Sequence, residues 1–262
     1  MPDPLSNIAG YAYPWILGNF VVFLAAFVTA LYINYNFNSI MVGLIYMIPL
    51  VPLGFADETA GRFLIVSVQN TVFGLIELAI FAVTVRGGDA AFDKKHIQQL
   101  LGHTLPIAAA LIGLSLVSRS TAVSVGVLEL ALIALVFAVG AAFRVLAVVQ
   151  LGREAFKFDI VFREKQKIKQ DQLYSLCRHP SYAAMMVVVL AYAMTTHSWL
   201  AGALGMLSAW FGFQYRIHHE EIALQERFGE DYKRYRQRTG MWLPLKLFPR
   251  SGSGSQVSRD GK

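Results

Sequence analysis

The chain has 262 residues, 55% hydrophobic and only 15% charged, with a mean hydropathy of +0.48 and a formal net charge of +6. A water-soluble domain carries roughly 25% charged residues, so the composition argues against a soluble globular protein and makes lipid the solvent for most of the chain. A single cysteine, Cys177, excludes an intramolecular disulfide framework and any multi-cysteine metal site.

In chain order, Pro14 to about Tyr32 reads as a first span, matching the roughly 20 apolar residues a bilayer core requires. The preceding Met1-Pro2-Asp3-Pro4 lacks the basic start of a secretory signal, so this first apolar run is expected to stay in the mature protein. Ile40 to about Ala56 is shorter and holds Pro49 and Pro52, which predicts a kinked span or a re-entrant piece. Asp57, Glu58 and Arg62 read as a wet turn. Phe63 to Val85 is a third span that carries Gln69, Asn70 and Glu77. A polar loop follows, with Arg86, Asp89, Asp93, Lys94 and Lys95. Leu100 to Val117 and about Thr121 to Val149 read as the fourth and fifth spans, the latter carrying Glu129 and ending at Arg144. Carboxylates at this depth are functional candidates; Glu77, Glu129, Gln69 and Asn70 are candidates to line a substrate cavity, while Glu129 could instead be protonated or paired within the bundle.

After residue 150 the charge changes character. Of 23 Lys and Arg residues, 17 lie beyond residue 150 and 6 before it. Arg153 to Lys169 is a charged juxtamembrane stretch. Ala183 to Tyr215 contains no charged residue and is long enough for two helices that reverse near Thr195-Thr196-His197-Ser198. The tail from Ser251 onward is flexible linker by composition. The expected fold is all-α: a polytopic transmembrane bundle of about six or seven spans, including a C-terminal helical hairpin, with a cytosolic C-terminal helical segment. It divides into N-terminal spans (1–150), a region around the hairpin (151–250) and a disordered tail (251–262). The basic loops fall on one face, which the positive-inside bias makes cytosolic. The N-terminus is then external if Ile40–Ala56 spans, and cytosolic if it does not. A basic face of this kind suits an anionic leaflet or an anionic group; no basic helix stands apart from the spans, so no nucleic-acid partner is expected.

Polar residues bracket the hairpin. Arg178-His179-Pro180-Ser181-Tyr182 precedes it, and Arg216-Ile217-His218-His219-Glu220-Glu221 follows it. Both ends of a folded-back segment meet on one side of the membrane, so these clusters are expected to form one site. Pro180 suits a first helical position, which would leave the Ser181 and Tyr182 amides as donors for an anionic group. Arg216 and Glu220 are i,i+4 neighbours with His219 beside them. The adjacent Glu220 and Glu221 point in different directions and can take different partners. The same residues also fit a helix leaving the bilayer with solvated, snorkelling charges. Cys177 beside Arg178 could have a lowered thiol pKa, although a small buried residue is the simpler reading. His179, His218 and His219 show no metal-ligand spacing, and no glycine-rich phosphate loop is present.

The pattern Arg178-His179-Pro180-Ser181-Tyr182, an apolar hairpin, then Arg216-x-x-x-Glu220-Glu221-x-x-Leu224-x-x-x-Phe228-Gly229-x-x-Tyr232-x-x-Tyr235, resembles the isoprenylcysteine carboxyl methyltransferase family and the related phospholipid methyltransferases. Leu151-Gly152-Arg153 fits the element that precedes the motif. The resemblance covers roughly Leu151 to Pro249. Two departures stand out. The family's Thr-x-Gly-Pro-Tyr is replaced by a stretch in which only Tyr174 remains, and Ala184 stands where the family favours glycine.

The resemblance implies S-adenosyl-L-methionine as cofactor and methyl transfer to a lipid-linked acceptor, either a prenylcysteine-type carboxylate or a phospholipid amine. It implies that Tyr174, Arg178, His179, Pro180, Ser181, Tyr182, Glu220, Glu221, Tyr232 and Tyr235 bind the cofactor, that Arg216, Glu220 and Glu221 are catalytic, with Arg216 facing the acceptor, and that no metal is needed. The acceptor is a lipid or a prenylated small molecule or protein reached within the membrane. Two alternatives remain: a membrane reductase of the sterol-reductase type using NADPH, and a non-catalytic membrane protein with a decayed site.

Overall fold

The structure, a computed structural model, describes residues 8–33, 35–52, 60–84, 94–152 and 168–244. The loop 85–93, most of the charged stretch after residue 152, and the Ser/Gly tail lie outside the described residues. The described chain is helical, in the order α1 (Ile8–Ile33), α2 (Phe37–Met47) with a 3-10 turn (Ile48–Leu50), α3 (Ala60–Thr84), α4 (Lys94–Gln99), a π turn (Leu100–Thr104), α5 (Leu105–Arg119), α6 (Val127–Leu151), the short α7 (Leu173–Leu176), α8 (Pro180–Thr195) and α9 (Trp199–Arg238). Ala12–Ile33, Ala60–Ala82, Ile97–Arg119 and Val127–Leu151 are each long and apolar enough to cross a bilayer. Lipid-facing leucines, valines and tryptophans such as Trp15, Leu128, Trp199 and Leu204 remain exposed on the outside of the bundle, where a membrane would cover them. This is an integral membrane protein.

Helix direction follows from the contacts. Asn19 on α1 donates to Ser67 on α3 at 2.8 Å, and Ala12 and Ile16 pack with Ala60, Phe63 and Val66, so α1 and α3 run parallel. The chain between them must therefore cross back, and α2 with its 3-10 turn is that crossing. Asn36 caps α2, its side chain accepting from the Ser39 amide at 2.8 Å. At the other end Arg119 donates to the Pro49 carbonyl at 3.0 Å. Of the expected kinked span over Ile40–Ala56, the described residues are helical to Leu50 and already irregular at Pro49, because proline cannot donate to the helix ladder. The N-terminal end of α1 consequently lies at the end of the bundle opposite the polar clusters.

Two local expectations are corrected. Residues 121–126 are not helical; α6 begins at Val127, after Gly126. Arg62 does not sit in a wet turn. It is 1% exposed and donates to Glu129 Oε1 at 3.0 Å and to the carbonyls of Val123 (2.6 Å) and Thr195 (2.8 Å). A lone charge cannot be buried cheaply, so Arg62 finds its partners where α3, α6 and α8 meet. Glu129, one of the cavity candidates, is spent on this pair. Gln69 bonds Thr195 and Asn70 bonds Ser115, so these candidates too serve helix packing.

The hairpin forms as its residues predict. Pro180 opens α8, the chain turns at Thr196 and His197, and the Ser198 hydroxyl accepts from the Ala201 amide to cap α9. Helix α9 leaves the apolar zone after Tyr215 and continues to Arg238, broken at Gly229. Its φ of 51° lies in the left-handed region that glycine enters freely. The break turns the last segment back across the start of α8, which buries Tyr232 and Tyr235.

Candidate active site

The site lies where the first turn of α8 meets the point at which α9 emerges from the apolar layer. Arg216 Nε donates to Glu220 Oε1 at 2.8 Å, the i,i+4 pair expected from spacing alone. The Tyr182 hydroxyl donates to the same carboxylate oxygen at 2.5 Å. Glu221 faces elsewhere. Arg178 Nε donates to its Oε1 at 2.7 Å, and Arg236 Nε lies 3.5 Å from its Oε2. His179 joins the two halves, with Nδ1 3.7 Å from Glu220 and Nε2 3.3 Å from Glu221. The two adjacent carboxylates thus take different partners, and one imidazole bridges them across some forty positions of chain.

Burial sets the electrostatics. Burial opposes ionisation of Glu221, but hydrogen bonds from His179 and Arg178 and the Arg178 charge outweigh it and hold the carboxyl down at about 2. Glu220 is likewise held below the usual carboxylate range: burial pushes up, and the Arg216 and His179 charges push further down. Both are firmly ionised and therefore weak bases. Cys177 is the small buried residue that the simpler reading takes it for. Burial pushes its thiol up more than Arg178 and a hydrogen bond pull it down, and the residue is part of a short parallel bridge to Gly240.

That bridge closes the site from above. The Arg178 amide donates to the Gly240 carbonyl at 2.8 Å and the His179 amide to Met241 at 3.1 Å. Arg178 NH1 donates to the Thr239 carbonyl, and Tyr235 donates to the Tyr174 carbonyl at 2.5 Å. Tyr232 is buried near Glu221 and Tyr235. The structure therefore brings Arg178, His179, Pro180, Tyr182, Arg216, Glu220, Glu221 and Tyr232 together, with Tyr174 and Tyr235 in the wall behind them. The Tyr174 hydroxyl is turned away to the Ala147 carbonyl. The Ser181 hydroxyl also faces inward, accepting from Arg144. His219 is not part of the site: its ring lies on Tyr215 and its Nδ1 faces the Tyr215 carbonyl.

Residues that sequence reasoning did not place here include Arg144 and Gln150, whose side chain accepts from the Leu173 amide at 3.1 Å; Glu77, a cavity candidate by sequence, pairs with Arg144 instead. Arg144 and Glu77 are bonded to each other at 2.8 and 2.9 Å, both buried. The available signal was two opposite charges in separate apolar runs. His103 is a further such residue. The π turn of Leu100–Thr104 brings its Nδ1 to 3.0 Å from the Gly212 carbonyl, one turn before Arg216.

The departures from the family pattern have a physical reading. Gln172 occupies the position of the missing glycine and adopts φ 55°, so the glycine-type backbone persists without the glycine. Ala184 faces Gly140 of α6: a Cβ at Gly140 would lie 2.8 Å from the Val188 amide nitrogen and 3.2 Å from the Ala184 carbonyl oxygen. In this chain the close crossing of α6 and α8 is made by the absent side chain on α6.

The sequence model of the isoprenylcysteine carboxyl methyltransferase family matches residues 130–226, the segment that holds α6, α8 and the charged turn of α9. Over that segment the chain is similar to the isoprenylcysteine carboxyl methyltransferase family. It is 30% identical over 108 residues to a probable protein-S-isoprenylcysteine O-methyltransferase of Oryza sativa subsp. indica, covering 41% of this chain and 56% of the relative. It is 33% identical over 73 residues to the protein-S-isoprenylcysteine O-methyltransferase of Mus musculus, covering 28% of this chain and 26% of the relative. The chain thus spans about half the length of the first curated relatives it matches. A solved structure of the eukaryotic intramembrane Ras methyltransferase of this family superposes with a TM-score of 0.51 at 17% identity, over 93% of this chain and 98% of the other. That likeness establishes the family's membrane fold for the whole bundle. Tyr232 and Tyr235 lie beyond the matched residues, and Glu77 before them.

Proposed function

We propose that this chain is an integral membrane methyltransferase that uses S-adenosylmethionine to esterify the carboxylate of a prenylcysteine-type acceptor, at a site on the cytosolic face. The observation that carries the reading is the joined cluster of His179, Glu220 and Glu221 at the start of α8, built from residues of the matched family segment.

The residues fit the cofactor. Carboxylates held ionised beside a buried histidine suit a ligand bearing a positive sulfur and an ammonium group. The α8 helix has 16 residues, and its first-turn amides at Ser181 and Tyr182 have no carbonyl four residues back to bond, which suits the ligand's carboxylate. His179, Pro180, Tyr182, Glu220 and Glu221 would hold it, with Tyr174, Tyr232 and Tyr235 closing the wall. S-adenosylmethionine supplies a methyl group already activated on a sulfonium.

The chain's residues then have to align and enclose rather than donate or remove protons. Good alignment of bound reactants supplies about 7–11 kcal/mol of a barrier. A carboxylate acceptor is ionised at neutral pH and needs no base; an amine acceptor must first lose a proton. Glu220 and Glu221, both pulled below the ordinary range, are poor bases, which favours the carboxylate over a phospholipid amine. Arg216, beside the apolar layer, would be the cation that faces it. Residues 151–250 form the catalytic region, and residues 1–150 the spans against which the acceptor's lipid packs. The cytosolic assignment rests on the basic surplus at the site end of the bundle.

Transfer of radiolabelled methyl from S-adenosylmethionine to a farnesylated cysteine analogue by the purified protein tests this. Base-labile methyl ester is expected from wild type, and none from His179→Ala or Glu220→Ala. Absence of ester in wild type, with stabilisation by NADPH rather than by S-adenosylhomocysteine in a thermal melt, would replace this reading with the reductase one.

A further inference from the structure

We propose that Arg144 and Glu77 are positioning residues: their buried ion pair holds the Ser181 hydroxyl and, through it, sets the first turn of α8 against the cofactor. The proposal rests on the methyltransferase reading above. The pair ties three elements together. Glu77 sits near the site end of α3, Arg144 near the site end of α6, and Ser181 is the second residue of α8. Arg144 spends Nε on Glu77 Oε1 at 2.8 Å and NH2 on Oε2 at 2.9 Å, and NH1 donates to the Ser181 hydroxyl. All three residues are buried, at 3%, 4% and 7% exposure.

The guanidinium explains why the arrangement transmits direction. Its nitrogens lie in one rigid plane, so two bonds to Glu77 fix where the third points. A lysine at 144 would keep the charge and lose that fork. Stability alone is a poor reason to keep such a pair, because a buried ion pair is often no more stable than apolar residues of the same volume. A reason is supplied by where the third arm of the guanidinium ends. Ser181 adjoins Pro180 and Tyr182, and Tyr182 holds Glu220. A shift of Ser181 therefore moves both the α8 amides and the Tyr182–Glu220 contact. Glu77 lies outside the residues matched by the family, so α3 contributes to the site from the N-terminal half.

Binding of S-adenosylhomocysteine to the detergent-solubilised full chain, measured by calorimetry together with a thermal melt, tests this. Ser181→Ala is expected to lower the unliganded melting temperature, because a buried Arg144 N–H loses its partner, and to weaken binding about tenfold, the scale of one hydrogen bond to a charged group; Ser181→Thr, which keeps the hydroxyl, restores both. Arg144→Lys weakens binding by a similar factor, and the Arg144→Lys, Ser181→Ala double variant binds no worse than the weaker single one, because both act through one contact. Multiplicative losses in the double variant, or wild-type affinity in Ser181→Ala, overturn the proposal while the methyltransferase reading stands. Should Arg144→Lys fail to fold, the Ser181→Ala and Ser181→Thr pair decides alone. A wild-type chain that does not bind S-adenosylhomocysteine overturns the reading and the proposal together.

Discussion

At Glu221, geometry and charge make a prediction about pH. The folded carboxyl titrates at about 2 against its ordinary 4.5. A depressed carboxylate contributes stability that is complete above the ordinary value and lost as protons are taken up below it. The melting temperature is therefore expected to fall between about pH 4.5 and 2 more steeply in wild type than in Glu221→Gln. Equal slopes in the two proteins would show that Glu221 is not held as described. Glu220→Gln keeps an acceptor for Tyr182 but leaves Arg216 without its paired charge. Breaking a buried pair on one side costs about 3–5 kcal/mol, so this variant should melt well below wild type and lose S-adenosylhomocysteine binding. The Arg216–Glu220 pair was readable in the sequence because helix periodicity fixes which residues are neighbours. Arg62 was not: a basic residue beside Asp57 and Glu58 looks like the rim of a loop, and only the packing of α3, α6 and α8 around it reveals a buried hub.

Between residues and the whole bundle, individual backbone positions carry testable weight. Gln172 holds φ 55° and ψ −127° at the mouth of the site, a conformation that favours glycine, and a non-glycine residue in a sparsely populated region costs about 1–3 kcal/mol. Gln172→Gly is expected to raise the melting temperature with methyl transfer intact; a lower melting temperature would mean that the surrounding chain, not strain, decides this turn. Gly140→Ala puts a Cβ 2.8 Å from the backbone nitrogen of Val188, where no flexible side chain can yield. Forced overpacking of this kind costs about 1–3 kcal/mol and should push α6 and α8 apart, lowering both melting temperature and cofactor affinity. The hairpin, its reversal at Thr196–His197 and the Pro180 start were all legible, since they follow from local turn and capping chemistry. The late start of α6 and the π turn before α5 were not, because neither changes the apolar pattern.

For the molecule as a whole, the topology itself is open to test. Helix α9 runs from the Thr196–His197 turn to its charged segment, which puts the α8–α9 turn at the opposite end of the bundle from Lys233. In sealed inverted vesicles, His197→Cys and Lys233→Cys are expected to react with a membrane-impermeant maleimide from opposite sides; the native Cys177 is buried and should stay silent. Labelling of both from one side would overturn the spanning of α9. The far end is pinned by Arg62 and Glu129, and the site end by Arg144 and Glu77, so the hairpin that carries the proposed site is held at both ends by ion pairs reaching out of the N-terminal half.

Composition and spacing alone are enough to read that the chain lives in lipid, that it is helical, that a hairpin brings two polar clusters to one face, and that Arg216 and Glu220 are neighbours on one helix face. Each of these depends on composition or on spacing within a single element, where covalent geometry sets the answer. Only the packing settles that α2 crosses, that Arg144 and Glu77 pair beside Ser181 and that Ser181 faces inward. Those outcomes depend on which distant groups meet inside a medium without water, where every buried charge must find a partner and the sequence does not say which.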